Sequence, residues 1–244
     1  MQLYIVTGAS RGIGWSLLHR ITERPETEAL AVSRSGLPSP APRCEDLRCD
    51  LSQREGQRGA ADAIRRKIAE QPWEKAVLIN NAGTVEPVAP LERCDMDLFL
   101  RNLTLNVVAP AALMQAFLSS SGGIRERSII NISSAVSRRP VRGWAAYCSS
   151  KAALDMVSEV AAAEVEAQAS GVCISSLYPG LVDTAMQGLI RTMSEADFPT
   201  VQEFQDWKAQ GALQNPDTVA ERILDLEREG RLPQGPAFLR DLCT

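Results

Sequence analysis

Tyr147 and Lys151 stand four residues apart, and Ser134 lies thirteen residues before the tyrosine. A phenol of pKa about 10 is a poor proton donor at neutral pH. A neighbouring ammonium favours the phenolate and lowers that pKa. The four-residue step puts the two side chains near each other on one helix face. Such a tyrosine can act as the acid in carbonyl reduction or the base in alcohol oxidation. Ser134 closes the strand-like run Ser128–Ser133, where its hydroxyl can hold a substrate oxygen while charge develops. Tyr147 and Lys151 alone read first as the start of an ordinary helix. Ser134 and a glycine-rich turn near the amino end favour chemistry.

That turn is Thr7-Gly8-Ala9-Ser10-Arg11-Gly12-Ile13-Gly14. Glycines accept positive φ and let backbone approach a ligand. A helix opening after the turn offers unpaired N–H groups to a pyrophosphate. The spacing is GxxxGxG, which by itself is a tight turn as readily as a phosphate cradle. The strand before it and the helix after it favour the cradle. The next strand ends in Ser33-Arg34-Ser35. A carboxylate there would hold a ribose 2′-hydroxyl, whereas a guanidinium pairs with a 2′-phosphate. Arg34, with Arg11 in the turn, therefore points to NADP (NADPH) as cofactor; the alternative leaves both arginines solvated. Asp50-Leu51 ends a short strand and is expected to line the adenine.

These residues need a scaffold. Apolar runs at Leu3–Thr7, Glu28–Ser33, Lys75–Asn80, Ser128–Ser133 and Gly171–Leu177, with a weaker one near Pro236–Leu239, lack strict alternation. That pattern suits strands covered on both faces. Helical stretches fall between them at Ile13–Thr22, Gln53–Glu70, Asp95–Leu118 and Ser149–Ala169, and Pro216–Arg228 reads as another. The alternation predicts an α/β fold: a Rossmann-type doubly wound parallel sheet with helices on both faces. At 244 residues and about 150 residues per domain, we expect a single domain over 1–244. A small helical substrate cover is expected within it at 184–212. Gly36–Pro42 reads as a surface loop.

With 26 Lys+Arg against 30 Asp+Glu, the net charge is −4, so no nucleic-acid partner is expected. His19 is the only histidine, which excludes three-histidine zinc chemistry, and no metal site is expected. No apolar run approaches 18 residues, so no membrane span is expected either. Six cysteines without a CxxC pair fit reduced thiols and a cytoplasmic location.

The ordered motifs resemble those of the short-chain dehydrogenase/reductase family over nearly the whole chain. Thr7–Gly14 matches its cofactor turn, and Asn80-Asn81-Ala82-Gly83 matches the NNAG signature that lies along the cofactor. Asn106 matches an asparagine that helps hold a water in a proton relay. Ser134, Tyr147 and Lys151 match the catalytic serine and the YxxxK pair. Pro179-Gly180 matches the PG motif, followed by Val182 and by Thr184, the threonine that contacts the nicotinamide carboxamide. Gly143–Cys148, Leu177–Met186 and Phe204–Leu213 resemble the sepiapterin reductases and the bacterial and fungal benzil (diketone) reductases. Animal sepiapterin reductases anchor their pterin with an aspartate near the carboxyl end. Leu239 matches that position, and Asp241 follows two residues later. An apolar residue there suits a diketone or another carbonyl compound with few hydrogen-bonding groups.

The resemblance implies an NADPH-dependent carbonyl reductase. Tyr147 would donate the proton, Ser134 hold the carbonyl oxygen, Lys151 bind the nicotinamide ribose, and Asn106 support the relay. Expected substrate walls are Trp144, Val136, Leu181, Met186, Leu189 and Trp207. For Trp144, Met186, Leu189 and Trp207, packing within the cover is the competing role. Cys148 reads as filling and His19 as a surface or packing residue. Arg138 and Arg139 are either a loop in water or an attraction for an acidic substrate. The alternatives are a short-chain reductase for a steroid, sugar or acyl thioester, a non-catalytic dinucleotide-binding regulator, and a purely structural partner protein. A homodimer or homotetramer is expected, formed through Asp95–Leu118 and Ser149–Ala169.

Overall fold

The apolar runs pair as strands because each is covered on both faces. In the structure, a computed structural model that describes residues 1–242, they are β1 (Gln2–Thr7), β2 (Thr27–Ser33), β3 (Cys44–Arg48), β4 (Lys75–Asn80), β5 (Glu126–Ile132), β6 (Val172–Tyr178) and β7 (Gly235–Phe238). The helices are α1 (Gly12–Thr22), α2 (Arg54–Ala69), α3 (Met96–Leu103), α4 (Ala109–Ser120), α5 (Ala145–Ala167), α6 (Ala185–Ile190), α7 (Val201–Ala209), α8 (Pro216–Arg228) and α9 (Leu239–Leu242).

All seven strands form one parallel sheet in the order β3-β2-β1-β4-β5-β6-β7. The chain runs outward one way through β2 and β3 and the other way through β4 to β7. The turnover lies between β1 and β4, where such sheets open a ligand crevice beyond the strand carboxyl ends. Leu3, Ile5, Leu30 and Leu78 face α2, α4 and α5 through Ile64, Leu113, Phe117 and Val165. Tyr4, Val6, Ala31 and Ile79 face α1 and α8 through Leu17, Ile21, Ile223 and Leu224. A third cluster joins Trp144 and Tyr147 to Ile190, Phe198, Val201 and Phe204 in the cover.

Three elements differ from the sequence expectation. α5 begins at Ala145, four residues earlier than the spacing predicts, so Tyr147 lies inside its first turn. The expected helix Asp95–Leu118 is divided into α3 and α4 by a π segment at Thr104–Val108. β3 ends at Arg48, so Asp50 and Leu51 lie in the loop beyond it.

The combined helical run 96–120 is also long and apolar enough, by length and composition, to cross a membrane. Counting uninterrupted apolar residues misses it, because Arg101, Asn102 and Asn106 punctuate it. Here the run is a layer of the fold: Asn102, Asn106, Leu113 and Phe117 are fully buried. Its outer face, with the neighbouring face of α5, exposes Met96, Leu98, Leu100, Val108, Met156 and Val160.

Candidate active site

The glycine turn leaves β1 and enters α1 at the mouth of a cleft of about 1050 Å³. Gly8 has φ +65, and a Cβ there would lie 2.9 Å from Ala82 Cα. A Cβ on Gly14 would meet the Gly8 carbonyl oxygen at 2.3 Å. Only glycine lets the turn fold this closely on itself. Arg11, at the N-cap of α1, makes no side-chain cap bond, so the first-turn N–H groups can serve an anion. Ser33 Oγ and Ser133 Oγ are buried on the cleft wall without a hydrogen-bond partner. A glycine cradle, a helix start and orphaned hydroxyls in one elongated cleft fit a dinucleotide.

Gly8, Ser10, Arg11, Gly12, Ile13, Arg34, Asp50 and Leu51 all line this half. Gly14 packs behind it. Asn81 and Ala82 donate their backbone N–H groups to Thr7 Oγ1, both at 3.0 Å, and Asn81 Nδ2 donates to the Thr7 carbonyl. These bonds lay Asn81, Ala82 and Gly83 along the cleft. Asn80 does not reach it. Its amide donates to Asn131 Oδ1 at 2.8 Å and ties β4 to β5 inside the fold. Arg34 is exposed at the carboxyl end of β2. Asp50 is held by Ser52 and by Arg101, whose guanidinium reaches it at 3.2 Å. Partial burial raises its pKa, but the Ser52 hydrogen bonds and Arg101 outweigh that and hold it below its ordinary value.

The other half of the cleft brings together Ser134, Tyr147 and Lys151. Tyr147 and Lys151 are 8% and 5% exposed. Lys151 Nζ lies 5.8 Å from the tyrosine ring centroid and donates to the Ile132 carbonyl at 2.7 Å. Burial pushes the Tyr147 phenol up to about 12, against a lowering hydrogen bond from Ser134. Burial also holds Lys151 down at about 8, with Asp155 acting the other way. Burial sets the direction of the Tyr147 shift, and the Lys151 ammonium is engaged by the Ile132 carbonyl. The lowering by Lys151 expected from the four-residue step is not among the causes of the shift in this structure.

Asn106 sits in the π segment, fully buried just behind the wall. Its Oδ1 accepts from Thr84 N at 3.0 Å, and its Nδ2 donates to the Thr84 carbonyl, Asn102 Oδ1 and Ser150 Oγ. A Cβ on Gly83 would lie 3.1 Å from Asn106 Oδ1 and 3.8 Å from Lys151 Nζ. Gly83 therefore lets the cleft backbone pass close to both side chains, with Asn106 behind the wall and Lys151 on it. The supporting residues Asn102 and Ser150 carry no motif signal.

Pro179, Gly180, Val182 and Thr184 line the cleft together with Ser134, Tyr147 and Lys151, as do Leu181, Met186, Trp144, Val136 and Trp207, the expected substrate walls. Leu189 instead packs within the cover cluster. Trp144 does both jobs: it stacks on Phe198 at 4.6 Å and meets Tyr147 and Phe204 edge-on at 5.4 and 5.5 Å. Phe204 in turn contacts Trp207 at 4.7 Å.

Gln187, Tyr178, Phe238 and Arg240 also line the cleft, and no spacing rule points to them. Leu239 is buried against the sheet, and Asp241 is exposed and paired with Arg240. Neither lines the cleft. Arg139 does; Arg138 is engaged by Tyr178. The Cys148 thiol is half-buried against the aromatic cluster, and burial raises its pKa. His19 stacks on Trp15 outside this cleft. Cys243 lies outside the described residues.

A family model described as short chain dehydrogenase matches residues 2–195. A benzil reductase ((S)-benzoin forming) of Bacillus subtilis is 34% identical over 233 residues, 94% of this chain and 95% of that protein. A sepiapterin reductase of Meriones unguiculatus is 31% identical over 252 residues, 95% of this chain and 93% of that protein. A crystal structure of a short chain dehydrogenase/reductase from Saccharomyces cerevisiae superposes with TM-score 0.83 at 22% identity, covering 100% of both chains. The fold, the glycine cradle and these matches agree: the chain belongs to the short chain dehydrogenase/reductase family, NAD(P)-binding oxidoreductases acting on CH–OH and C=O groups.

Proposed function

We propose that the protein is an NADPH-dependent carbonyl reductase for ketones or diketones, of the benzil reductase and sepiapterin reductase type. The observation that carries this reading is the meeting of Ser134, Tyr147 and Lys151 in the same cleft as the glycine cradle. Held by the glycine turn and the Asn81–Gly83 segment, NADPH would supply hydride for the carbonyl carbon. Tyr147 gives its proton to the carbonyl oxygen, and Ser134 holds that oxygen by a hydrogen bond. Lys151 binds the nicotinamide ribose and orients the phenol. Asn106 fixes the backbone around Thr84 and supports proton resupply. The wall from Pro179 to Thr184 borders the nicotinamide. Cover segment 184–212 lays Met186 and Trp207 over the substrate and excludes water.

Arg34 and Arg11 beside the adenine end favour a 2′-phosphate, hence NADPH over NADH. With Leu239 buried and Asp241 outside the cleft, neither of these two residues offers the cleft a carboxylate for a pterin. That favours a diketone over sepiapterin. The exposed apolar faces of α3 and α5 support a homodimer, and free thiols at Cys44, Cys49, Cys94, Cys148 and Cys173 support a reducing, cytoplasmic setting.

The test is steady-state oxidation of NADPH with benzil, aliphatic diketones and sepiapterin, alongside steroid, sugar and acyl-thioester carbonyls. Turnover should be greatest with the diketones and should disappear in Tyr147→Phe while NADPH still binds. Retained turnover in that variant would remove the proton-donor role.

A further inference from the structure

Three segments that frame the catalytic half meet at one buried carboxylate. Asp155 is 5% exposed and lies one helical turn after Lys151 on α5. It accepts hydrogen bonds from Ser176 Oγ and, at 2.6 Å, from the Tyr178 hydroxyl, both on β6. The Tyr178 oxygen in turn accepts from Ser137 Oγ at 3.1 Å and Arg138 Nε at 3.0 Å. Ser137 and Arg138 belong to the short turn Ala135–Arg138, which directly follows Ser134. Tyr178 directly precedes Pro179-Gly180 and lines the cleft.

A buried carboxylate is a costly way to fasten a helix to a strand, because apolar side chains of similar volume do so without desolvating a charge. Its position makes sense of the cost. The knot joins the helix that carries Tyr147 and Lys151, the turn that carries Ser134, and the loop that borders the nicotinamide end of the cleft. It also sets a negative charge one helical turn from a buried ammonium whose only hydrogen-bond acceptor among the described residues is the Ile132 carbonyl.

We propose that Asp155 and Tyr178 are positioning residues for the reductase reaction: Asp155 is the counter-charge of the Lys151 ammonium, and Tyr178 locks the Ser134 turn to α5 and β6. The assignment rests on the reading of Ser134, Tyr147 and Lys151 given above. It is supported by the field at Lys151, where burial disfavours the charged form and Asp155 opposes it. The other charged and titratable groups at the knot are Arg138 and Tyr178 from neighbouring elements, and Tyr147 and Glu159 from α5. Arg138 reaches Glu159 at 3.8 Å near the surface. Asp155 is the acidic group that acts on Lys151.

The experiment compares full-length wild type with Asp155→Asn, Asp155→Glu and Tyr178→Phe. It records kcat and KM against pH, NADPH affinity by fluorescence, and thermal melting. Asp155→Asn should lower kcat roughly tenfold or more through misplacement of the catalytic groups. Its alkaline limb should move down by about one pH unit, because losing an adjacent opposite charge lowers a lysine pKa. Loss of NADPH affinity at alkaline pH should shift with it. Asp155→Glu should keep the limb where it is in wild type. Tyr178→Phe should lower kcat with that limb unmoved, since the carboxylate remains.

An unmoved limb in Asp155→Asn, or a wild-type kcat in Tyr178→Phe, overturns the proposal. Should Asp155→Asn fail to fold, the other two variants decide: a displaced limb in Asp155→Glu or full kcat in Tyr178→Phe counts against it. The parent reading fails separately. Turnover in Tyr147→Phe removes the reductase assignment, whereas an inactive Tyr147→Phe beside an unshifted Asp155→Asn removes only the knot.

Discussion

Lys151 Nζ donates to the Ile132 carbonyl oxygen at 2.7 Å. One bond joins the helix that carries the tyrosine to the end of the strand that leads into Ser134, and it buries an ammonium to do so. The consequence is a stability that depends on pH. Folded Lys151 titrates at about 8, against 10.5 for an unburied lysine. Between those values the unfolded chain holds a proton that the folded chain has released, so stability rises with pH there. Tyr147 acts in the opposite sense higher up. Its phenol is raised from 10.0 to about 12, so the unfolded chain loses its proton first and stability falls across that window. The partly buried thiols, led by Cys44, are raised by burial and act in the opposite sense over part of this window, so the Lys151 contribution is read as a difference. Relative to Lys151→Met, urea denaturation of the cofactor-free wild type should gain on the order of 2–3 kcal/mol from about pH 8 to about pH 10. Parallel curves for the two proteins would assign the effect elsewhere.

Arg34 stands exposed at the end of β2 on the cleft wall, where a 2′-phosphate would lie. Arg34→Ala should raise KM for NADPH by roughly ten- to a hundredfold, the loss of a charge-assisted pair, while KM for NADH changes little. Steady-state kinetics with both cofactors decide this. Parallel losses with both would show that Arg34 acts on the shape of the wall and not on the phosphate.

Much of this arrangement is legible from local sequence. The glycine turn, the Asn81–Gly83 segment and Tyr147/Lys151 are short-range patterns, and strands buried on both faces announce themselves as apolar runs. What is not legible depends on tertiary contact. α5 starts early at Ala145 although Trp144 offers no capping side chain; the aromatic cluster around Trp144 fixes that end instead. The π segment has no glycine to mark it. It is held by the side-chain bonds of Asn106 to Thr84, Asn102 and Ser150. The direction of the Tyr147 shift follows from burial, which spacing does not report. Asp155 and Tyr178 are 23 residues apart in sequence and meet only once α5 lies on β6.

Trp144 lines the cleft and holds the cover through Phe198 and Phe204. Trp144→Ala should cost about 3–5 kcal/mol, the usual loss for a buried large aromatic, and should raise KM for an aromatic diketone more than KM for NADPH. Trp144→Phe should recover most of the stability. Chemical denaturation and the two KM values separate a pocket wall from a packing residue. A destabilised variant with unchanged diketone KM would leave only the packing role.

Leu100 and Met156 are 63% and 57% exposed on the outer faces of α3 and α5. Adjacent exposed apolar groups of this kind commonly mark an interface. Leu100→Glu combined with Met156→Lys should yield monomers in analytical ultracentrifugation where the wild type sediments as a dimer. A wild-type protein that stays monomeric at high concentration would contradict the expectation at once.

Glu227 is buried at the opposite, amino-terminal end of the sheet from the cleft. It receives the Tyr4 hydroxyl at 2.8 Å and pairs with Lys75 Nζ at 2.8 Å. Removing one member of a buried pair strands the other charge, at about 3–5 kcal/mol. Lys75 also lies 3.7 Å from Glu126, so Glu227→Ala should fall toward the lower end of that range and Lys75→Met toward the upper. The double replacement Lys75→Met with Glu227→Leu should recover much of the loss, because no charge is then left buried. All three variants should keep wild-type kcat, since this network shares no hydrogen bond with Tyr147, Lys151 or Ser134. Denaturation midpoints measured beside kcat test both halves: additive losses in the double variant, or a fall in kcat with melting unchanged, would show a coupling that the geometry does not contain.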